Sequence, residues 1–138
     1  ADDIKTRGKE VCRTADEFTK LYYDALKKKK AGLQRLYMDN GTLIYNGNCI
    51  SGSENISKFL NRLPEPKVTL ENFDAQPVHD EVVAGQKTIL LTCAGNIRFG
   101  DDGVDRSFNQ AFLITAVDDK WKIVSDDFRI QEPLVSIS

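Results

Sequence analysis

The chain has 138 residues, 41% of them hydrophobic and 29% charged, and a formal net charge of −2. That length suits a single domain, residues 1–138, with a sizeable core, and the acidic balance argues against a general electrostatic grip on nucleic acid. No run approaches a membrane-spanning length, no signal-peptide pattern opens the chain, and Cys12, Cys49 and Cys93 lack zinc spacing and are expected as buried reduced thiols.

The first segment reads as a helix that Asp2 or Asp3 can cap. Val11, Ala15, Phe18, Tyr22 and Ala25 recur at spacings of four and three and make one apolar stripe, which Cys12, Leu21 and Leu26 widen. Lys27 to Lys30 close the helix, and Gly32 suits its C-terminal cap. Four consecutive lysines also suit phosphate or a membrane surface. Cations complementing the dipole at a helix C-terminus are the simpler reading. Leu33, Leu36 and Tyr37 predict a short second helix. Thr42 to Tyr45, Asn46-Gly47-Asn48 and Cys49-Ile50 predict a hairpin, because Asn-Gly supplies the positive φ angles of a tight turn. Ser51 to Glu54 has capping-box spacing and opens a third helix with Ile56, Phe59, Leu60 and Leu63 on one face. Pro64 and Pro66 end it.

The remainder reads as four long strands: Lys67 to Gln76, bent or ended at Pro77; a second within Val82 to Phe99; Arg106 to Val117; and Lys120 to Gln131. Helices followed by a strand meander indicate an α+β domain with the helices on one face of an antiparallel sheet. Ile89, Leu91, Cys93, Ile97 and Phe99 point one way, and Leu90, Thr92 and Ala94 the other. A strand apolar on both faces is usually covered on both, and this chain has too few helices for that. The missing cover is another polypeptide, which marks the chain as a binding module.

Parity sorts the rest. Phe108, Gln110, Phe112 and Ile114 oppose Asn109, Ala111, Leu113 and Thr115. Val68, Leu70, Asn72, Asp74 and Gln76 share a side, and Val124, Phe128 and Ile130 oppose Ser125, Asp127, Arg129 and Gln131. Trp121 and Ile123 break the alternation, which points to a bulge. The expected partner face comprises Asn72, Asp74, Gln76, Leu90, Thr92, Ala94, Asn109, Ala111, Leu113, Asp127 and Arg129. Its mix of small, apolar and sparsely charged residues suits an interface.

The stretches CRTADEFTKLYYDALKKKK, RLYMDNGTLIYNGNCISG, DAQPVHD, SFNQAFLITA and KWKIVSDDFRIQ stand in this order. Together they resemble the nuclear transport factor 2-like family, and within it the branch concerned with mRNA export, over nearly the whole chain. The resemblance implies a cone: a curved antiparallel sheet packed on N-terminal helices. It implies heterodimerisation through the outer sheet face with a similarly folded domain of the mRNA export receptor TAP, and that Asp74 meets an arginine there. The implied role is a non-catalytic adaptor shuttling between nucleus and cytoplasm, reaching nucleoporins through the complex. Other branches form homodimers, including the carrier of GDP-bound Ran, and others are enzymes with an active site in the cone.

An enzyme needs polar groups converging inside that cone. His79, beside Asp80, is the only histidine and lies at a strand end or loop. Phe108, Phe112 and Ile114 leave little polar lining, and Gln110 reads as a buried amide satisfied by backbone. No phosphate-binding glycine loop or metal-ligand spacing appears. Catalysis, a cofactor, a metal site and sequence-specific nucleic-acid binding are therefore not expected. The acidic turn Asp101-Asp102 with Asp105 slightly favours a basic partner such as Ran, though such turns are mostly solvated.

Overall fold

A computed structural model describes residues 2–28, 32–78, 87–101 and 104–131. His79, Asp80, Val82, Lys29, Lys30 and Asp102 lie outside them. The elements are α1 (Asp2–Lys28), α2 (Gly32–Arg35), β1 (Tyr37–Tyr45), β2 (Asn48–Ser51), α3 (Ser53–Arg62), β3 (Pro66–Val78), β4 (Thr88–Phe99), β5 (Arg106–Val117) and β6 (Lys120–Ile130).

The strands form one curved sheet in the order β2-β1-β6-β5-β4-β3. It is mixed rather than wholly antiparallel, because β1 pairs with β6 in parallel. The Asn46-Gly47 turn forms as expected, with φ 47° and 87°. It also locks to β6: Asn46 N–H donates to the Phe128 carbonyl, and Asn46 Oδ1 accepts from Ile130 N–H. That docking makes the small hairpin an extension of the main sheet.

α1 buries Ala15, Phe18, Tyr22, Ala25 and Leu26 against the sheet's inner face. Cys12 and Leu21 do not widen its stripe. Both are exposed, Leu21 by 56%, because their angular positions fall outside the arc the sheet covers. Cys49 is exposed too, on a short edge strand, so only Cys93 is buried as expected. α2 stops at Arg35, and Tyr37 begins β1 with its ring in the core. The capping box does not form: Gly52, at φ 89°, is the N-cap of α3 with no side-chain cap bond. Glu54 instead pairs with Lys58 one turn on.

Two bulges reset the faces. The register of β3 on β4 shifts between Leu70 and Asn72, with Glu71 as the extra residue. Val68 and Leu70 therefore pair with inward Ile97 and Gly95, while Asn72, Asp74 and Gln76 pair with outward Ala94, Thr92 and Leu90. The expected grouping of these five on one side is thus corrected: an inserted residue flips every side chain beyond it. Pro77 does not end the strand, since pairing continues to Val78 opposite Thr88. The second bulge, expected near Trp121 and Ile123, lies at Val124. Ile123 is inward, and the inward place between it and Phe128 belongs to Asp126.

The core is an aromatic stack in the concave side of the sheet. Phe112 meets Phe18 and Tyr22 edge-on at 5.6 and 4.8 Å. Phe128 stacks between Tyr45 and Phe108 at 5.1 and 5.5 Å. Such pairs add about 0.5–1.5 kcal/mol each beyond simple burial.

Candidate interface on the outer sheet face

The outer face is organised in cross-strand rows. One row runs Asp74, Thr92, Ala111, Asp127 over β3, β4, β5 and β6. On one side of it runs Asn72, Ala94, Asn109, Arg129, and on the other Gln76, Leu90, Leu113, Ser125. All eleven residues expected on the partner face thus lie in three adjacent rows, and the structure brings them together on one surface. Ser125 is the neighbour that parity placed there but the expected set omitted.

The rows differ in chemistry. The Leu90–Leu113 row is the apolar one, and Leu90 is 38% exposed although it sits mid-strand. The central row carries a carboxylate at each end with a small floor of Thr92 and Ala111 between. A shallow depression of about 510 Å³ lies over the central row and the neighbouring Asn72–Arg129 row; Asp74 and Asp127 line it, but Gln76, Leu90 and Leu113 do not. Asp74 is exposed, and its side chain accepts a 3.2 Å hydrogen bond from Gln76 Nε2. Asp127 Oδ1 lies 3.5 Å from Arg129 Nε.

Among the described residues, Asp101 and Asp105 at the β4–β5 turn both have cations of the chain nearby. Arg98 grips Asp105 with two 3.0 Å hydrogen bonds, and Lys67 approaches Asp101 at 3.9 Å. The Arg98 pairing leaves Asp105 less available for a basic partner than the sequence suggested, while Asp101 stays fully exposed.

Inside the cone the lining is not wholly apolar, which corrects the expectation. Asp126 is 1% exposed and accepts from Tyr37 Oη at 2.7 Å, Gln110 Nε2 at 2.9 Å and Tyr22 Oη at 3.3 Å. Gln110 is satisfied by side chains rather than backbone, because its Oε1 accepts from Tyr23 Oη at 2.8 Å. Burial pushes the Asp126 carboxyl up to about 6, against the pull of its three donors. Burial likewise raises the Tyr22, Tyr23 and Tyr37 hydroxyls and lifts the Cys93 thiol to about 11, which keeps that thiol unreactive at neutral pH. The cluster ties α1 to β1, β5 and β6. The sequence reading passed over Asp126; the signal was its shared parity with Phe128.

The adjoining interior cavity, lined by Tyr22, Leu60, Gln110 and Phe128 among others, measures about 20 Å³. That is room for about one water, not for an organic substrate. Among the described residues no group of His, Cys, Asp and Glu is placed to hold a metal ion. No described helix is long and apolar enough to cross a membrane.

Comparison with known proteins agrees with this architecture. The cattle protein named NTF2-related export protein 1 is 41% identical over 134 residues, covering 94% of this chain and 95% of its own. The human NTF2-related export protein 2 is 40% identical over 134 residues, with 94% of each chain covered. Among solved structures, nuclear transport factor 2 from Cryptosporidium parvum superposes with a TM-score of 0.75 at 21% identity, over 88% of this chain and 95% of its own, a likeness of fold. The family model described as the nuclear transport factor 2 (NTF2) domain matches residues 14–130. With that match and those relatives, the chain belongs to the nuclear transport factor 2 domain family, on its export-protein side.

Proposed function

We propose that the chain is a non-catalytic adaptor subunit in nuclear mRNA export, acting as one domain. It pairs through its outer sheet face with the related domain of a TAP-type export receptor. The complex shuttles between nucleus and cytoplasm and meets nucleoporins at the pore. The observation that carries this reading is the three-row surface. Leu90 and Leu113 supply an apolar strip, Thr92, Ala94 and Ala111 a close-approach floor, and Asp74 and Asp127 supply charge. The names of the relatives support export, and the one-water interior cavity supports the absence of catalysis.

Within this reading Asp74 forms an intermolecular pair with an arginine of the receptor domain. A carboxylate in a desolvated interface needs a cation or several donors, and Gln76 supplies only one amide. Light scattering on a size-exclusion column, with the chain alone and mixed with the receptor's NTF2-like domain, tests the reading. A one-to-one complex is expected. A chain that elutes as a stable homodimer and ignores the receptor domain refutes it. Titration with single-stranded RNA at physiological salt should show no sequence-selective binding by the chain alone.

A further inference from the structure

The two faces of β3 are set by one inserted residue. Its side chains packed on the core are Val68, Leu70, Phe73 and Ala75, so the regular step of two becomes three between Leu70 and Phe73. The long step falls at Glu71, which has no partner in the register with β4: Leu70 pairs with Gly95, and Asn72 with Ala94. Uninterrupted alternation would carry Asn72, Asp74 and Gln76 inward with Val68 and Leu70, and would turn Phe73 and Ala75 out. Asp74 therefore reaches the outer face only because the bulge precedes it.

Two neighbours on β4 hold the bulge at that point. Gly95, the sole glycine of β4, makes room for it. A Cβ there would stand 2.1 Å from the Thr69 carbonyl oxygen, 3.0 Å from Leu70 Cα and 3.1 Å from Glu71 N, so the β3 backbone fills the place of the missing side chain. The second neighbour is Asn96, on the outward parity of β4 with Thr92 and Ala94. Its Nδ2 donates to Glu71 Oε1 at 2.7 Å, which ties down the inserted residue itself. A bulge can form at more than one place along a strand, and every residue between two such places changes face when it moves. A bulge displaced past Asp74 points that carboxylate at the core.

We propose that Glu71 is a positioning residue for partner recognition: bonded to Asn96 and seated over Gly95, it fixes the bulge that presents Asn72, Asp74 and Gln76 to the partner. This rests on pairing through the outer face. Glu71 acts through the residues that follow it and needs no contact with the partner. Its carboxylate serves as a hydrogen-bond acceptor, a role that glutamine can fill and alanine cannot. The lock removes arrangements of β3 in which Asp74 faces inward. A larger fraction of free chains is then competent to pair, and apparent affinity rises with that fraction.

The test measures association and dissociation rates with the TAP-type receptor domain for the whole chain, Glu71→Ala, Glu71→Gln, Asn96→Ala and the double variant Glu71→Ala/Asn96→Ala. Thermal unfolding of each chain alone confirms that it is folded at the binding temperature. Glu71→Ala and Asn96→Ala should each weaken binding by about three- to tenfold, the scale of one hydrogen bond to a charged group. The double variant should bind no more weakly than either single one, because both remove the same bond. Glu71→Gln should stay within about twofold of the parent. The loss should lie in the association rate, since fewer free chains are competent, with dissociation unchanged. A loss carried by faster dissociation, or Glu71→Gln as weak as Glu71→Ala, makes the Glu71 carboxylate a partner contact and overturns the proposal. So do additive losses in the double variant. A wild-type chain that binds no receptor domain refutes the pairing itself, and this inference with it; wild-type binding with insensitive alanine variants refutes this inference alone.

Discussion

Asp126→Asn separates the two things the buried carboxylate does, which are to accept three hydrogen bonds and to carry a charge in an apolar interior. Burial holds its carboxyl at about 6 rather than 3.8, so the native state binds this proton more tightly than the unfolded chain. The stability contributed is full below the unfolded value and is lost as pH rises through about 6. The loss amounts to about 3 kcal/mol by pH 7.5 and well under about 1 kcal/mol at pH 4. Asparagine keeps the shape and removes the charge, but its NH2 group replaces one of the two accepting oxygens: Oδ1, to which Gln110 Nε2 donates, or Oδ2, to which Tyr37 and Tyr22 Oη donate. Rearranging those donors costs about 1 kcal/mol. The variant should therefore be more stable than the parent by about 2 kcal/mol at pH 7.5 and slightly less stable than it at pH 4. Urea unfolding, followed by the fluorescence of the single tryptophan, Trp121, half-buried on β6, reads both values. Comparing the two proteins at each pH cancels the titration of every other carboxylate. A stability difference that stays constant across this range, or that moves the other way, refutes the placement of an ionisable group in the core.

Gly95→Ala should lower stability by about 1–3 kcal/mol by overpacking, because a Cβ there would stand 2.1 Å from the Thr69 carbonyl oxygen and 3.0 Å from Leu70 Cα; an unchanged melting temperature contradicts the close approach of β3. Leu113→Arg should weaken pairing with the receptor domain while the isolated chain folds normally, since it places a charge in the apolar row; unchanged affinity removes Leu113 from the interface. Asp74→Arg should disrupt the complex, and reversing the partner's arginine to aspartate should restore part of the binding; a charge-swap cycle without coupling rejects the pair even if each single variant binds weakly.

Local pattern made most of the elements legible. β5 runs from Arg106 to Val117 as its alternation predicts, and Asn46-Gly47 turns where its φ preferences require. The outer-face set was equally legible, because period-two alternation is a property of the backbone and needs no knowledge of neighbours. Parity survives only until an extra residue intervenes. At Glu71 and Val124 the count resets, and sequence marks such a point only faintly: Trp121 and Ile123 betrayed one bulge, and nothing betrayed the other. Tertiary structure decided what surrounds each residue. Asp126 and Asp127 are chemically identical neighbours, yet one is buried beneath Tyr22 and Tyr37 and the other faces out beside Arg129. Their difference depends on an α1 side chain 104 residues away, a distance over which no periodicity carries information. The chain by itself therefore determined which residues share a face, and only the folded sheet, closing around α1, determined which carboxylate is sealed in the core and which is left outside.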